Sequence, residues 1–487
     1  MLPKMNNKLF GPTLLLIAQY TNRIIGPLVS ILVVRYLEPE QYGLYASAIS
    51  VTLLLTFIPN FGIQQGVINF FSQSKSDLND ILKNALISSL LYTIVACAIV
   101  IAWFSIIDYH VTTKLIGIMM TITYVRIALL TVVTAGLQAL GKYKKIAFWN
   151  LGINSAYWIS TLILMVFDAD IYQLSIYPVV LTTLLSLIMF VFEWKKFKLL
   201  RPKLQKRNLH LSEFIKGTFP FGLSISMYEL YHRSDALILS VTRAPIEVGF
   251  YTLSFKIIEL INLFPGIIFN QVLFLKFFQW NNENSSKIKT YFSFLNKILF
   301  SLSAIILIVV FFYGEKLIYF VFGTEQLSSL KYLILMAWVI PIRYLLSSLS
   351  TVLVTGGGIK TKLKIESVIA FINILLNITF VPQYGGIAAA LIMVFTELLL
   401  LVCFAIYVNK KVIKFKISSI DILYILIIIF IILFDISVVA RLQYLKLFGG
   451  IFTLIFIIFT SYKWLTSKEL IELTSLICNP KRKVQSN

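Results

Sequence analysis

The charged residues that could do chemistry in this chain stand inside long apolar runs of sequence. The basic candidates are Arg23, Arg126, Arg233 and Lys256. The acidic candidates are Glu229, Asp235, Glu259, Glu366 and Glu397. Guanidinium and ammonium groups bind anions such as phosphates. A carboxylate inside a membrane can take up a proton or a sodium ion. We therefore predict anion binding for the basic set and ion coupling for the acidic set.

Some of these charges could instead have a purely structural role. A charge at the centre of a membrane helix costs about 2.5–3.5 kcal/mol, so it must face the protein interior or a water-filled cavity. Glu229 and Arg233 stand at i, i+4 in the favourable order, and Lys256 and Glu259 stand at i, i+3. Residues at these spacings are neighbours on a helix, so each pair could simply neutralise itself.

Arg23 and Arg126 have no acidic residue at helical spacing on their own apolar run, which favours a cavity role for both. Arg23 also belongs to a polar stripe along one helical face: Gln19, Asn22, Arg23, Gly26 and Ser30. A second run repeats this pattern: Gly222, Ser226, Glu229 and Arg233. Two amphipathic runs of this kind predict a hydrated cavity between them.

The composition indicates which elements position these residues. The chain has 487 residues, of which 58% are hydrophobic and 13% charged, with a mean hydropathy of +0.86. Soluble proteins carry about 25% charged residues. The composition excludes a cytosolic enzyme, a nucleic-acid-binding domain and a secreted disulfide scaffold. The net charge of +21 is therefore best explained by Lys and Arg in cytoplasmic loops.

Long apolar runs predict an all-α polytopic membrane protein with about fourteen transmembrane helices. The predicted spans are 9–35, 42–70, 83–107, 114–140, 146–168, 172–193, 214–242, 248–275, 290–313, 328–356, 364–382, 384–408, 418–440 and 444–464. Spans 2 and 8 contain Pro59 and Pro265, which a membrane helix tolerates when neighbours satisfy the freed backbone groups. Loops rich in Lys and Arg alternate with loops that have few. If the N-terminus is placed in the cytoplasm, the basic segments 141–145, 194–213 and 409–417 are all cytoplasmic. Both termini are then predicted to be cytoplasmic.

An internal repeat relates the two halves of the chain. Residues 39–45 read PEQYGLY and residues 245–251 read PIEVGFY, so Pro, Gly and Tyr recur 206 positions apart. We predict two six-helix lobes related as parallel repeats around a central cavity. The predicted divisions are an N-terminal lobe (1–193), a basic cytoplasmic linker (194–213), a C-terminal lobe (214–408), and two further helices with a cytoplasmic tail (409–487).

Enzyme and cofactor motifs are not found in the sequence. It contains no P-loop, no metal-ligand spacing and no Gly-x-Ser-x-Gly elbow. The three cysteines, Cys97, Cys403 and Cys478, form no disulfide framework. We expect no catalytic residue, no cofactor and no metal, so transport would use substrate or ion gradients.

Both halves of the chain carry stretches that match a known family. The first half carries VVRYLEPEQYGLYASAIS and NFGIQQGVINFF. The second half carries RSDALILSVTRAPIEVGFYTLSFKI, FGTEQ and VPQYGGIAAALIMVFTELL. With these stretches the chain resembles the Wzx-type polysaccharide-repeat flippases of the multidrug/oligosaccharidyl-lipid/polysaccharide exporter superfamily. The resemblance covers nearly the whole chain, and its loose motifs are more specific for the superfamily than for a substrate.

This resemblance implies two six-helix lobes and two extra helices in the bacterial cytoplasmic (inner) membrane. It implies an undecaprenyl-pyrophosphate-linked oligosaccharide as substrate, an O-antigen or capsule repeat unit for polysaccharide or lipopolysaccharide biosynthesis. The pyrophosphate would bind Arg23, with Arg126, Arg233 and Lys256 as further candidates. Implied partners are membrane lipid and the polysaccharide polymerase and chain-length machinery, with no nucleic acid.

Two other functions remain open at this level. A cation-coupled multidrug exporter of the same superfamily is the alternative, although such exporters tend toward twelve spans and acidic cavities. A polyprenyl-dependent polymerase or glycosyltransferase usually has a large outer loop with catalytic residues. No predicted outer loop here exceeds about 20 residues, which is too short for a folded domain.

Overall fold

The structure is a computed structural model that describes residues 7–73, 77–198, 209–267 and 287–414. Within these ranges the chain is helical and contains no strand. The helices are α1 (Asn7–Tyr36), α2 (Pro39–Leu54), α3 (Phe57–Asn60), α4 (Ile63–Ser72), α5 (Leu78–Ile106), α6 (Val111–Met119), α7 (Ile122–Ala139), α8 (Tyr143–Val166), α9 (Ile171–Lys198), α10 (Leu211–Thr242), α11 (Pro245–Ile267), α12 (Lys287–Phe322), α13 (Leu330–Ala337), α14 (Val339–Thr355) and α15 (Ile359–Lys411).

The predicted fold class, an all-α multi-pass membrane protein, is confirmed. Each of the first twelve predicted spans falls on one helix, or on a short series of helices, over its described residues. Seven described helices are long and apolar enough to cross a membrane, or eight if one bent pair counts as a span. Spans 13 and 14, most of the basic linker and the C-terminal tail lie outside the described residues. The total of fourteen spans stays a prediction.

Predicted span 2 is broken rather than continuous. Helix α2 ends at Leu54, Pro59 lies in the short α3, and α4 begins at Ile63. Gly62 precedes α4 with a φ of +69°, in the left-handed region. A Cβ atom at Gly62 would stand 2.3 Å from the carbonyl oxygen of Thr218. Both the dihedral angle and the close approach require glycine at this position.

Further breaks divide other predicted spans. Helices α6 and α7 meet at Met120 and Thr121, inside predicted span 4. The segments on either side of Trp338 bend by 40°. In α15, Gly385 has a φ of +64° and a ψ of −147°, which is not helical. This break separates predicted spans 11 and 12, close to the boundary that the sequence predicts.

The described residues form two compact units. The first contains the residues up to 253 together with 321–326 and 370–389. The second contains 254–320, 327–369 and the residues from 390 onward. The two six-helix lobes of the sequence analysis follow a different criterion, the internal repeat, and remain a prediction.

The core of the first unit positions its charged residues. One buried cluster joins α4, α5, α7, α9 and α10 and includes Ile63, Ile81, Val132, Met189 and Phe214. A second cluster joins α2, α5 and α7 and includes Val51, Val100, Phe104 and Tyr124. The Tyr124 hydroxyl donates a hydrogen bond of 2.7 Å to the carbonyl oxygen of Thr52. This bond fixes α7 beside α2, one half-turn before Arg126.

Candidate functional site

Arg126 is a half-buried cation without a carboxylate partner. Its Nε atom is buried and makes no hydrogen bond. In residues 7–73, 77–198, 209–267 and 287–414, no carboxylate lies within ion-pair distance of its guanidinium group. A buried charge without a counter-ion is costly, so an anion is its natural ligand.

Two tyrosines accompany Arg126 in the first unit. Tyr157 on α8 lies close enough to interact electrostatically with the Arg126 guanidinium. The hydroxyl of Tyr157 also shares a hydrogen bond with buried Tyr45 of α2. Helix α8 therefore brings a neutral hydroxyl group to Arg126, and Tyr45 of α2 is bonded to that hydroxyl group. Sequence reasoning missed both tyrosines as site residues, although Tyr45 was visible as part of the repeat.

Arg23 lies on an exposed strip of α1, between two faces of different character. The face that includes Ala18, Val29 and Val33 is buried, and α1 packs along α8. Ile24 is 48% exposed and belongs to an apolar face suited to lipid. Within the predicted polar stripe, Arg23 is exposed, whereas Asn22 Oδ1 is buried and a Cβ atom at Gly26 would stand 4.0 Å from Trp158 Nε1 of α8.

The remaining predicted basic residues have different surroundings. Arg233 Nε lies 2.7 Å from Glu229 Oε2, so the predicted local pair on α10 is confirmed. Lys256 belongs to the second unit, and Glu259, its neighbour at i, i+3, is exposed. Their mutual neutralisation stays a prediction.

Asp235 is part of a buried polar cluster in the first unit. Its carboxylate accepts a hydrogen bond from the hydroxyl of Tyr251. The neighbouring Ser234 hydroxyl donates to Asn373 Oδ1 at 3.2 Å, and Asn377 Nδ2 donates to the same oxygen at 3.0 Å. Asn377 is fully buried, and its Oδ1 has no hydrogen-bond partner in the described part of the chain. Such an oxygen-rich group suits a proton or a hard cation.

The other acidic candidates are mostly neutralised by a base. In the second unit, Arg343 donates to Glu397, which is 1% exposed, and Lys362 Nζ lies 3.6 Å from Glu366 Oε1. Glu366 is also within electrostatic range of Arg343 and Glu397. The cluster holds two positive and two negative charges, which favours a structural role. Asp235 is thus the predicted acid whose carboxylate is buried and bonded to a neutral hydroxyl.

Metal ligands are not grouped in the described ranges. There, no set of three or more His, Cys, Asp or Glu side chains could hold a metal ion.

A family model described as "Polysaccharide biosynthesis protein" matches residues 11–280, more than half of the chain. The chain belongs to the polysaccharide biosynthesis protein family. The match includes α1, α7 and α10, the helices that carry Arg23, Arg126 and Asp235. No curated protein matches the chain by sequence.

Solved structures of the same fold are distant in sequence. The lipid II flippase MurJ, in an inward closed conformation, has a TM-score of 0.69 at 16% identity and covers 93% of this chain and 99% of its own. An inward-facing multidrug resistance MATE transporter of the MOP superfamily has a TM-score of 0.56 at 14% identity, and the match covers 84% of this chain and 96% of the transporter. The eukaryotic MATE transporter AtDTX14 has a TM-score of 0.51 at 10% identity, and the match covers 83% of this chain and 96% of AtDTX14. This polysaccharide biosynthesis family member therefore has the superfamily fold that the resemblance predicted.

Proposed function

We propose that this protein is a flippase that moves a polyprenyl-pyrophosphate-linked oligosaccharide, an O-antigen or capsule repeat unit, across the bacterial cytoplasmic membrane by alternating access. The observation that carries the proposal is Arg126, whose Nε is buried and which has no carboxylate partner among the described residues. Membership of the polysaccharide biosynthesis family supports a sugar-linked substrate. The likeness in fold to MurJ, a lipid II flippase, supports a lipid-linked one.

The geometry around Arg126 favours an anionic substrate over a cationic drug. A cation exporter needs acidic groups in its site, whereas Arg126 is accompanied by the hydroxyl of Tyr157. A guanidinium group can donate two parallel hydrogen bonds to phosphate oxygens, and a tyrosine hydroxyl can add a third. We assign the pyrophosphate to Arg126 and extend the site to Arg23 on the polar strip of α1. Multidrug export remains the alternative.

For coupling, we propose Asp235 from among the five predicted acids. Glu229, Glu366 and Glu397 each lie in an ion pair, and Glu259 is exposed. Exchange of a proton or sodium ion at any of the three paired acids would break an existing pair. At Asp235 the exchange would replace a hydrogen bond from a neutral hydroxyl, which costs less.

We place the protein in the inner membrane with both termini in the cytoplasm, next to the polymerase and chain-length machinery that would receive the product. This orientation predicts that Cys478 is labelled by a membrane-impermeant maleimide only from the cytoplasmic side. Inside-out vesicles should label and intact cells should not. Labelling of Cys478 in intact cells would contradict the orientation.

Arg126 variants test the anion site. We expect Arg126→Ala to reduce flipping of purified lipid-linked oligosaccharide in liposomes by about 10- to 100-fold, since a hydrogen bond to a charged group contributes roughly 1.5–3 kcal/mol. Arg126→Lys should keep part of the rate, because lysine retains the charge but not the bidentate geometry. Arg23→Ala and Arg23→Lys should follow the same order.

The matched control is Arg35→Ala, since Arg35 is exposed in the last turn of α1. Its flipping rate should stay close to that of the unmodified protein. Normal flipping by Arg126→Ala at equal protein levels would refute the phosphate-binding role. Export of cationic drugs without any flipping would favour the multidrug alternative.

A further inference from the structure

The two copies of the repeated motif touch each other in the first unit. Gly43 and Gly249 occupy equivalent positions, 206 residues apart, near the starts of α2 and α11. A Cβ atom at Gly43 would stand 2.1 Å from the carbonyl oxygen of Pro245, and one at Gly249 would stand 3.1 Å from Gly43 Cα. The contact joins backbone to backbone and requires glycine at position 43, whereas a side chain at position 249 would press against Gly43.

Other contacts accompany this glycine contact at the same ends of the helices. The Tyr109 hydroxyl lies 2.9 Å from Ser240 Oγ, near the end of α10. The backbone N–H of Gly386 donates a hydrogen bond of 2.8 Å to Glu247 Oε1, in the first turn of α11. In the proposed orientation these residues lie at the outer membrane surface. The first unit is therefore closed at its outer end.

The tyrosines of the two motif copies have different partners. Tyr45 shares its hydrogen bond with the neutral Tyr157, whereas Tyr251 donates to the carboxylate of Asp235. Tyr251 stands two residues after Gly249, so the bond ties the start of α11 to α10 beside the glycine contact. The second copy of the motif thus connects an ionisable group directly to the closed outer end.

The strength of this connection depends on the charge of Asp235. A hydrogen bond to an ionised acceptor is roughly twice as strong as one between neutral groups. The carboxylate also accepts the N–H of Ala236 at 2.8 Å, and Arg233, which is paired with Glu229, interacts with it electrostatically. Neutralising Asp235 would leave these neighbours in place and weaken the bond from Tyr251.

We propose that Tyr251 is a positioning residue whose hydrogen bond to ionised Asp235 holds the Gly43–Gly249 contact closed. Loss of the negative charge on Asp235, by a proton or a bound cation, loosens the start of α11 and favours opening toward the outside. The inference rests on the proposed function in one respect, the assignment of Asp235 as the coupling acid. It adds the link from that acid to the outer closure.

The test measures outer accessibility without substrate. Ser47 is 1% exposed, and its hydroxyl donates to the carbonyl oxygen of Gly43, so Ser47→Cys reports on this contact. The reporter is placed in a protein whose three native cysteines are replaced by serine, and a membrane-impermeant maleimide is added outside. We expect Asp235→Asn and Tyr251→Phe each to raise the labelling rate about tenfold, the population change for ~1.4 kcal/mol. Both changes nearly preserve side-chain shape, so folding should be retained.

The double variant separates a shared mechanism from two independent ones. Asp235→Asn with Tyr251→Phe should label within about twofold of either single variant, because one change weakens and the other removes the same bond. Tyr36→Phe is the matched control, since Tyr36 donates to the carbonyl oxygen of Ala169 at 2.8 Å, a neutral acceptor outside both copies of the repeated motif. Its labelling should stay within about twofold of the reporter alone. Asp108→Cys, whose side chain is fully exposed in the native chain, should label equally in every background.

Three outcomes would overturn the proposal: unchanged labelling in both single variants, an increase in one of them alone, or additive increases in the double variant. Flipping assays on the same proteins keep the two hypotheses apart. A protein that opens as expected but flips no lipid-linked oligosaccharide would refute the proposed function and leave the Tyr251 inference standing.

Discussion

Arg343→Ala is expected to destabilise the second unit by about 3–5 kcal/mol, the usual cost of removing one partner from a buried ion pair. Glu397 is 1% exposed and accepts a hydrogen bond from Arg343. Removing Arg343 would leave that carboxylate in a low-dielectric interior without its main counter-ion. Denaturant titration of the purified protein in lipid nanodiscs measures the loss in free energy of unfolding.

Paired controls make this result specific to the ion pair. The double variant Arg343→Met, Glu397→Leu should recover most of the stability, because apolar residues of similar size can replace a buried pair with little cost. Lys362→Met should cost about 0–1 kcal/mol, since the side chain of Glu366 is 35% exposed whereas that of Glu397 is 1% exposed. An Arg343→Ala protein as stable as the unmodified one would show that Glu397 is solvated or otherwise neutralised.

This pair also shows which charge relations a sequence can and cannot predict. Glu229 and Arg233 are four residues apart on one helix, so helical geometry alone predicted their contact. Arg343 and Glu397 are 54 residues apart and meet because α14 packs near the second part of α15. That contact depends on tertiary packing, which hydrophobic periodicity does not encode. Sequence reasoning therefore classified Glu397 as an ion-coupling candidate when its surroundings favour a structural role.

The helices were predictable because hydrocarbon imposes a simple rule on the sequence. Backbone polar groups must be satisfied internally, so a long apolar run has to be helical. The breaks were less predictable, since Pro59 and Gly62 are tolerated in membrane helices and their effect depends on neighbours. At Gly62, the neighbour is the backbone of Thr218 on α10, far away in sequence.

The residues of the candidate site likewise include some that the sequence predicts and others that only the structure reveals. Arg126 was identifiable because no acid stands at helical spacing on its run, and the described structure brings none to it. Tyr157 and Tyr251 were missed because a tyrosine in an apolar helix carries no signal of its own. The repeat did mark Tyr45 and Tyr251 as equivalent. Their different partners, one a tyrosine and one a carboxylate, are visible only in three dimensions.

A membrane potential is expected to have the other large effect, on the direction of transport. A lipid pyrophosphate diester carries about two negative charges, and each is worth about 2.3 kcal/mol per 100 mV, or about 4.6 kcal/mol together. Because the cell interior is negative, outward movement is downhill by about a thousandfold or more if the whole field is crossed. The guanidinium of the empty site is drawn inward by the same field.

The potential would therefore push the loaded carrier outward and return the empty one to its inward-open state. Liposomes with an imposed inside-negative potential should flip substrate outward faster than depolarised liposomes at equal pH and sodium. Arg126→Lys keeps the positive charge, so it should flip more slowly yet keep the same ratio between the two conditions. Equal rates in polarised and depolarised liposomes would contradict the model. They would mean that no net charge crosses the membrane field in the rate-limiting step.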